Sequence, residues 1–590
     1  MPRRCAVACA ALLLGIAGLA QGRVALVADE GLSAADAAYA RAARDAVLQQ
    51  LPAGLRSALP AEVHIEWRDD LPPHVAGRTF AGGIRLDRAL LERRAGARLR
   101  STLLHELVHV ADRAGGHWSR SARLRELGGW QRRPWRLGRT PNRFEQRSPD
   151  AYELHSPAEY LALNVEHWLQ DPSFACRRPA LATWLVDTFG PAPIGSLDCS
   201  AALPLLAAGE NEGAVELLQL DPARVYAVDY LFAEGADAPM SRWGHSMLRL
   251  VICREGRVPG PDCRMDLDQH RVLSFRAFVG DVALSNWRGL SGGYPSRLFV
   301  LPLQQVVDDY TRVELRSLAS LPLRLQPQDI RGLLARAAQV HWSYDGRYYF
   351  IGNNCAVETA KLLQAAVPAL AEAGIERITP RGLRRRLERR GWLDEHVLDD
   401  PATAVREGYY FESADTHYAQ LFEVARTELG LPAKDARRWL AMGAAERAPW
   451  LQRGGLRSTA GLLLLEQAAQ RRAELRARDV VKHRLLRRPG SEQAHQLQVL
   501  LTRAGQWLQP GGLLPHGYGV PQSGELATLQ PALQALSREG PAAWQALRTE
   551  LRSALPAVEQ RELDALQDNL QLLDARLRIL AAAPSPAAAQ

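Results

Sequence analysis

Lysine is almost absent from this sequence. Lys361, Lys434 and Lys482 are the only three in 590 residues, so the formal net charge of +8 is carried by arginine. A basic excess of this kind favours anionic surfaces. No nucleic-acid-binding module accompanies it, so nucleic acid is not an expected partner. The run RGLRRRLERRGW (381–392) reads as a solvated helix face. Long apolar runs are lacking too. Past the N-terminus no stretch has the ~20 uninterrupted apolar residues of a spanning helix. Cysteine is also scarce, at seven residues.

The one apolar run sits at the start. Arg3 and Arg4 precede CAVACAALLLGIAGLA, the charged, apolar, small-residue layout of a secretory signal peptide, with cleavage expected after Ala20. A soluble, periplasmic protein is therefore expected, and disulfides are permitted there. Cys5 and Cys9 leave with the signal peptide. Of the remaining five, pairing neighbours along the chain joins Cys176 to Cys199 and Cys253 to Cys263, and leaves Cys355 odd. An odd cysteine in an exported protein is a reactive thiol or an intermolecular partner; a buried small apolar residue is the plainer alternative.

Hydrophobic residues make up 47% and charged residues 23%, an ordinary globular balance that allows large cores. A multidomain α+β architecture is expected. Residues 1–20 form the signal peptide. Residues 21–203 are mostly helical, with VHIEWRD as an early strand. Residues 204–400 mix helices with strand-like runs: RVYAVDYLFA, HSMLRLVIC, HRVLSFRAFV, SRLFVLPL and RYYFIG. Residues 401–580 have helical periodicity, interrupted by the turn-rich LQPGGLLPHGYGVPQSGE. Residues 581–590 are a disordered tail.

Two stretches carry chemistry. In STLLHELVHVADRAGG, His105 and His109 stand four apart, so a helix puts both imidazoles on one face. Such a pair binds zinc, with Glu106 as general base. Ser101 is the expected cap and Gly115-Gly116 the stop. Asp112 stands where HExxHxxGxxH needs glycine and Gly115 where it needs the third histidine, which excludes that arrangement. The third ligand is expected to be Glu159 in SPAEYLALNVEHWL. Glu159 is also the last residue of a capping box, Ser156-Pro157-Ala158-Glu159, and Glu153, His155 and Glu166 compete with it. HELVHVAD followed by EYLAL resembles small gluzincin domains. That resemblance implies His105, His109 and Glu159 as zinc ligands and Glu106 as base of a metallopeptidase; Asp112 is placed to orient a ligand imidazole from behind.

In YYFIGNNCAVETAKLL, Cys355 falls at a helix start, where the helix N-terminus lowers a thiol pKa. Its own N–H is placed to hold an oxyanion. His245, in SRWGHSMLRL, is the candidate base. WGHSMLRL, VLSFRAFVGD, RGLSGGYPSRLFVLPL, DDYTRVELRSL and YYFIGNNCAVETAKLL, in this order, resemble the Lnb N-terminal periplasmic domain family over about residues 215–370. The resemblance implies a circularly permuted papain-like fold with Cys355 as nucleophile and His245 as base. It also implies a thioester acyl-enzyme of the kind used in lipoprotein N-acylation. Family members join the domain to a membrane part, whereas a helical segment follows here, so hydrolysis of acyl, amide or ester bonds stands beside acyl transfer. Asn353, Asn354 and Ser274 are candidates for a third member of the site. The expectation is a two-site envelope hydrolase or acyltransferase needing Zn2+. Its substrates would be peptide, lipoprotein or lipid-acyl, with peripheral membrane association. A non-catalytic scaffold, or catalysis confined to the cysteine domain, is the alternative.

Overall fold

The computed structural model describes residues 25–28 and 31–582, apart from 82, 95, 133–138, 141–146, 196, 209–214, 236–242, 278–293, 344–345, 349–353, 487–509, 515 and 554. The signal peptide, most of the expected 581–590 tail and the first residues of RGLSGGYPSRLFVLPL, up to 293, lie outside the described residues. The architecture is multidomain α+β, as the sequence predicts. No described helix is long and apolar enough to cross a membrane. The chain divides into two compact units: Met1–Ser119 with Leu161–Gln170 and Leu185–Gly195, and Arg120–Tyr160 with Asp171–Trp184 and Ser196–Gln590.

The first unit is built on strands β1 (Ala25–Ala28), β2 (Glu62–Arg68), β3 (Gly77–Phe80) and β4 (Gly83–Asp87), in the order β1-β2-β4-β3. β1, β2 and β4 are parallel, and β3 returns antiparallel to β4. A parallel pair needs a crossover, and α1 (Ala34–Gln50) supplies it between β1 and β2. β2 is the expected VHIEWRD strand; Val63, Ile65 and Trp67 point inward and their neighbours do not. Helix α2 (Gly96–Ala111) carries HELVH and buries Leu99, Leu103, Leu104, Leu107 and Val108. It starts five residues before Ser101, which lies inside the helix and bonds to Gln170 instead of capping. Its end is a π-type turn, Asp112–Gly116, followed by left-handed His117. α3 (Pro157–Gln170) carries Glu159 in its first turn.

In the second unit, nine strands form one mostly antiparallel sheet. They are β5 (Leu203–Ala208), β6 (Val215–Leu220), β7 (Val225–Ala233), β8 (His245–Ile252), β9 (Arg271–Ala277), β10 (Tyr294–Pro302), β11 (Leu318–Pro322), β12 (Gly346–Tyr348) and β13 (Tyr410–Phe411). The order is β13-β11-β7-β8-β9-β10-β5-β6, with β12 paired to β10. The sheet places α4 (Pro327–Ser343) and α5 (Cys355–Ala366) over one face. There Leu248, Leu250, Leu273 and Phe275 pack against Leu333, Leu334, Ala356 and Ala360. On the other face Met247, Val272 and Leu231 pack against Val306 and Tyr310. Helix α6 (Pro380–Arg389) seals an edge of the first core with Leu383 and Leu387.

Helices α7 (Ala414–Leu429), α8 (Leu456–Leu486) and α9 (Ala557–Ala582) share a core around Trp439. Inside it the Arg447 guanidinium meets Glu466, whose carboxylate also accepts from Asn569. The part of the turn-rich stretch that spans 516–525 is held by hydrogen bonds. Buried Arg147 donates to the carbonyls of His516 and Gly519 and to Glu525.

Candidate functional site

His105 and His109 both project from one face of α2, and their Nε2 atoms are 3.2 Å apart. Two nitrogens bound to one tetrahedral zinc at ~2.0–2.1 Å would stand about 3.3 Å apart. With Glu159 they offer three ligand atoms within 4.8 Å of one another. Two imidazoles and a carboxylate are a donor set that suits zinc, so the residues fit the ion. The main-chain N–H of Glu159 donates to Ser156 Oγ at 3.2 Å, so this residue belongs to the helix cap while its carboxylate reaches the histidines. Glu106 is buried and its Oε2 accepts from Thr79 Oγ1 at 2.5 Å. The fit is close here: a Cβ on Gly77 would come within 2.7 Å of Thr102 and 3.0 Å of Glu106.

The competitors separate. Glu153 is fully buried and holds Arg178 through both oxygens, a structural pair. His155 stacks on exposed Tyr152. Glu166 Oε2 lies 3.7 Å from His105 Nδ1, behind the ligand ring. Asp112 does not do what the sequence suggested. Its two oxygens accept from the Ser119 N–H (3.0 Å) and hydroxyl (2.6 Å), because the π-type turn swings the chain back over it.

The cysteine arithmetic holds: Cys176–Cys199 and Cys253–Cys263 are disulfides, and Cys355 is free and buried. Asn354 caps α5, accepting from the N–H groups of Ala356 and Val357. Its own amide donates to Ile378 O at 2.8 Å. It therefore serves as the cap of α5; Asn353 lies outside the described residues. Cys355 thus opens the helix, as expected.

β8 begins at His245 because Gly244 takes φ +83°, and a Cβ there would come within 2.5 Å of Ala233 O. Along β8 the side chains alternate. Ser246 turns to the α5 side, where its main chain, the Tyr348 hydroxyl and the Ala356 N–H bear on the Cys355 thiol; among the described residues the buried Ser246 hydroxyl itself has no hydrogen-bond partner. His245 follows Met247 to the other side. Its ring lies over Tyr310, centroids 6.2 Å apart, and Nε2 is 3.2 Å from Ser274 Oγ. No hydrogen bond joins His245 to Cys355 among the described residues. Ser274 is thus the candidate third member that meets the imidazole. Ser246 and Tyr348 were missed: each is ordinary for a strand, and no spacing marked them.

Burial pushes the Cys355 thiol up, against hydrogen bonds from Ser246, Tyr348 and Ala356 that oppose it. This corrects the expectation of a thiol lowered by the helix N-terminus: desolvation outweighs it. Burial also pushes half-buried His245 down to about 3, with Arg276 and Arg316 adding to the effect. The resting pair is a thiol and a neutral imidazole.

No curated protein and no solved structure matches the chain. Residues 116–197 match a family model described as Domain of unknown function (DUF7844), which includes Glu159 but not His105 or His109. Residues 214–390, which contain His245, Ser246, Ser274, Tyr348 and Cys355, match the model of the Lnb N-terminal periplasmic domain.

Proposed function

We propose that this chain is a periplasmic enzyme that cleaves or transfers acyl groups through Cys355. The observation that carries the reading is a lone buried thiol at a helix N-terminus, beside Tyr348 and the main chain of Ser246, with the neutral imidazole of His245 one residue further along β8, all within the 214–390 match. His245 is the proposed acceptor of the thiol proton, a step that requires the imidazole, which faces the other side of β8 and holds Ser274 through Nε2, to move to Sγ. Sγ adds to the acyl carbonyl, and the oxyanion takes the Cys355 N–H, which in the resting site is hydrogen-bonded to the Tyr348 hydroxyl. The carbon–heteroatom bond breaks, and the leaving group takes the proton from His245. Water or an amine then attacks the thioester, with His245 accepting its proton and returning it to Sγ.

The HELVH segment is read as a zinc peptidase site held by His105, His109 and Glu159. A bound zinc ion would supply Lewis acidity and lower the pKa of its water. Glu106, fixed by Thr79, is the group placed to hold a proton beside it.

Incubating the mature protein with short-chain p-nitrophenyl esters tests the thiol reading. An acyl adduct on Cys355, absent in Cys355→Ala and not formed at an appreciable rate in His245→Ala, is the expected mass-spectrometric result. One observation favours a second reading, a non-catalytic scaffold: the thiol is only 4% exposed and its pKa is raised. Under that reading no ester acylates Cys355.

A further inference from the structure

We propose that α6 is a docking surface for an anionic phospholipid bilayer, joined through Ile378, just before it, to Asn354, the residue before Cys355. The proposal goes beyond the acyl chemistry and does not require it.

Leu383 and Leu387 turn one face of α6 into the core. The outward face carries Arg381, Arg385 and Arg389, all exposed, flanked by Arg377, Arg386 and Arg390. Among the described residues none of these six makes an ion pair, whereas Arg384, on the inward flank, is paired with Glu395 at 2.8 Å. The Arg386 pKa is lowered, first by desolvation and then by the neighbouring charges of Arg390, Arg377 and Arg389. Six unpaired cations on so short a segment are a standing electrostatic cost that an anionic partner would remove.

The same segment is tied to the site. Ile378 O accepts from Asn354, the residue before Cys355, and Pro380 O accepts from Tyr230 Oη at 2.8 Å. Between these anchors the Ile378 side chain is 58% exposed. An exposed apolar side chain on the same segment as exposed arginines is the composition of an interfacial contact.

The chemistry favours a plane over a pocket. Exposed, solvent-screened arginines hold a single small anion weakly. Against a charged plane the contributions of the arginines near the surface sum. No buried polar cradle surrounds them, so a specific phosphate pocket is not indicated. A bilayer with anionic headgroups fits the charge and also the exposed Ile378.

The test uses the mature full-length chain with vesicles of phosphatidylglycerol and phosphatidylethanolamine, and with phosphatidylcholine vesicles as the neutral control. Binding to the anionic vesicles that weakens with salt is expected. An Arg381→Gln/Arg385→Gln/Arg389→Gln variant is expected to bind at least about tenfold more weakly. A charge-matched variant, Arg453→Gln/Arg457→Gln/Arg476→Gln, removes exposed arginines from another surface and is expected to bind as the parent does. Absence of binding by the parent overturns the proposal. So does an equal loss in both variants, which would mark net charge rather than a surface, and so does binding of soluble polyglutamate without vesicles, which would mark an acidic protein partner. Cys355→Ala is expected to dock normally, so failure of docking and failure of the thiol chemistry are read separately.

Discussion

The hydroxyl of Tyr348 hydrogen-bonds both the thiol and the main-chain N–H of Cys355. It therefore stabilises the thiolate and stands where an oxyanion would form. Tyr348→Phe is expected to raise the thiol pKa further and to slow alkylation at pH 7 by roughly tenfold, since hydrogen bonds to charged groups are the stronger ones. Iodoacetamide rates across pH, in the parent and variant, measure it.

Two buried histidines, His341 and His270, and half-buried His245 are expected to make the fold sensitive to acid. His341 accepts from Leu206 N–H through Nε2 and lies 3.0 Å from Leu298 O through Nδ1. A second proton would fall on the accepting nitrogen. Burial pushes its pKa down to about 4; His270 is likewise pushed to about 4, and His245 to about 3. A histidine with a depressed folded pKa binds its proton more tightly when unfolded. Stability is thus full above the unfolded value near 6.5 and falls as pH drops toward 4, by up to about 3 kcal/mol for each histidine. Urea midpoints should fall steadily from pH 7 to pH 4, and less steeply in His341→Gln if that variant folds.

Ligand and non-ligand acids near HELVH should separate cleanly. His105→Ala and Glu159→Gln are expected to lose bound zinc, measured by metal content after dialysis. Glu106→Gln should retain it and lose peptidase activity. Asp112→Asn should also retain zinc but lower the melting temperature, because its oxygens hold Ser119 and not a ligand ring.

The Cys253–Cys263 disulfide closes a short loop next to Arg264, which pairs bidentately with buried Asp229. Replacing both cysteines with serine is expected to cost about 2–3 kcal/mol from loop-closure entropy. Loosening Arg264 would add to this, because an uncompensated Asp229 is left in the core. Denaturant unfolding of the double variant checks the sum, and a thiol count of one in the unfolded parent checks the pairing.

Local signals determined a good deal. HELVH put two imidazoles on one helix face through nothing more than the 3.6-residue repeat. The strand-like runs around Tyr230, Leu248 and Leu273 became β7, β8 and β9 because alternating apolar residues bury one face of a sheet. The odd cysteine followed from parity, and its place at a helix start from Asn354. β5 and β11 escaped notice because LPLLAA and LASLP have no alternation and contain proline; they are strands only because neighbours in the sheet complete their hydrogen bonds. Which groups meet was a tertiary matter. Ser246, not His245, reaches the thiol, because one residue of register along a strand reverses the face. Asp112 went to Ser119 because a π-type turn, invisible in composition, bent the chain. The thiol pKa rose because packing removed water from it, a term that depends on every surrounding side chain and on no one stretch of sequence.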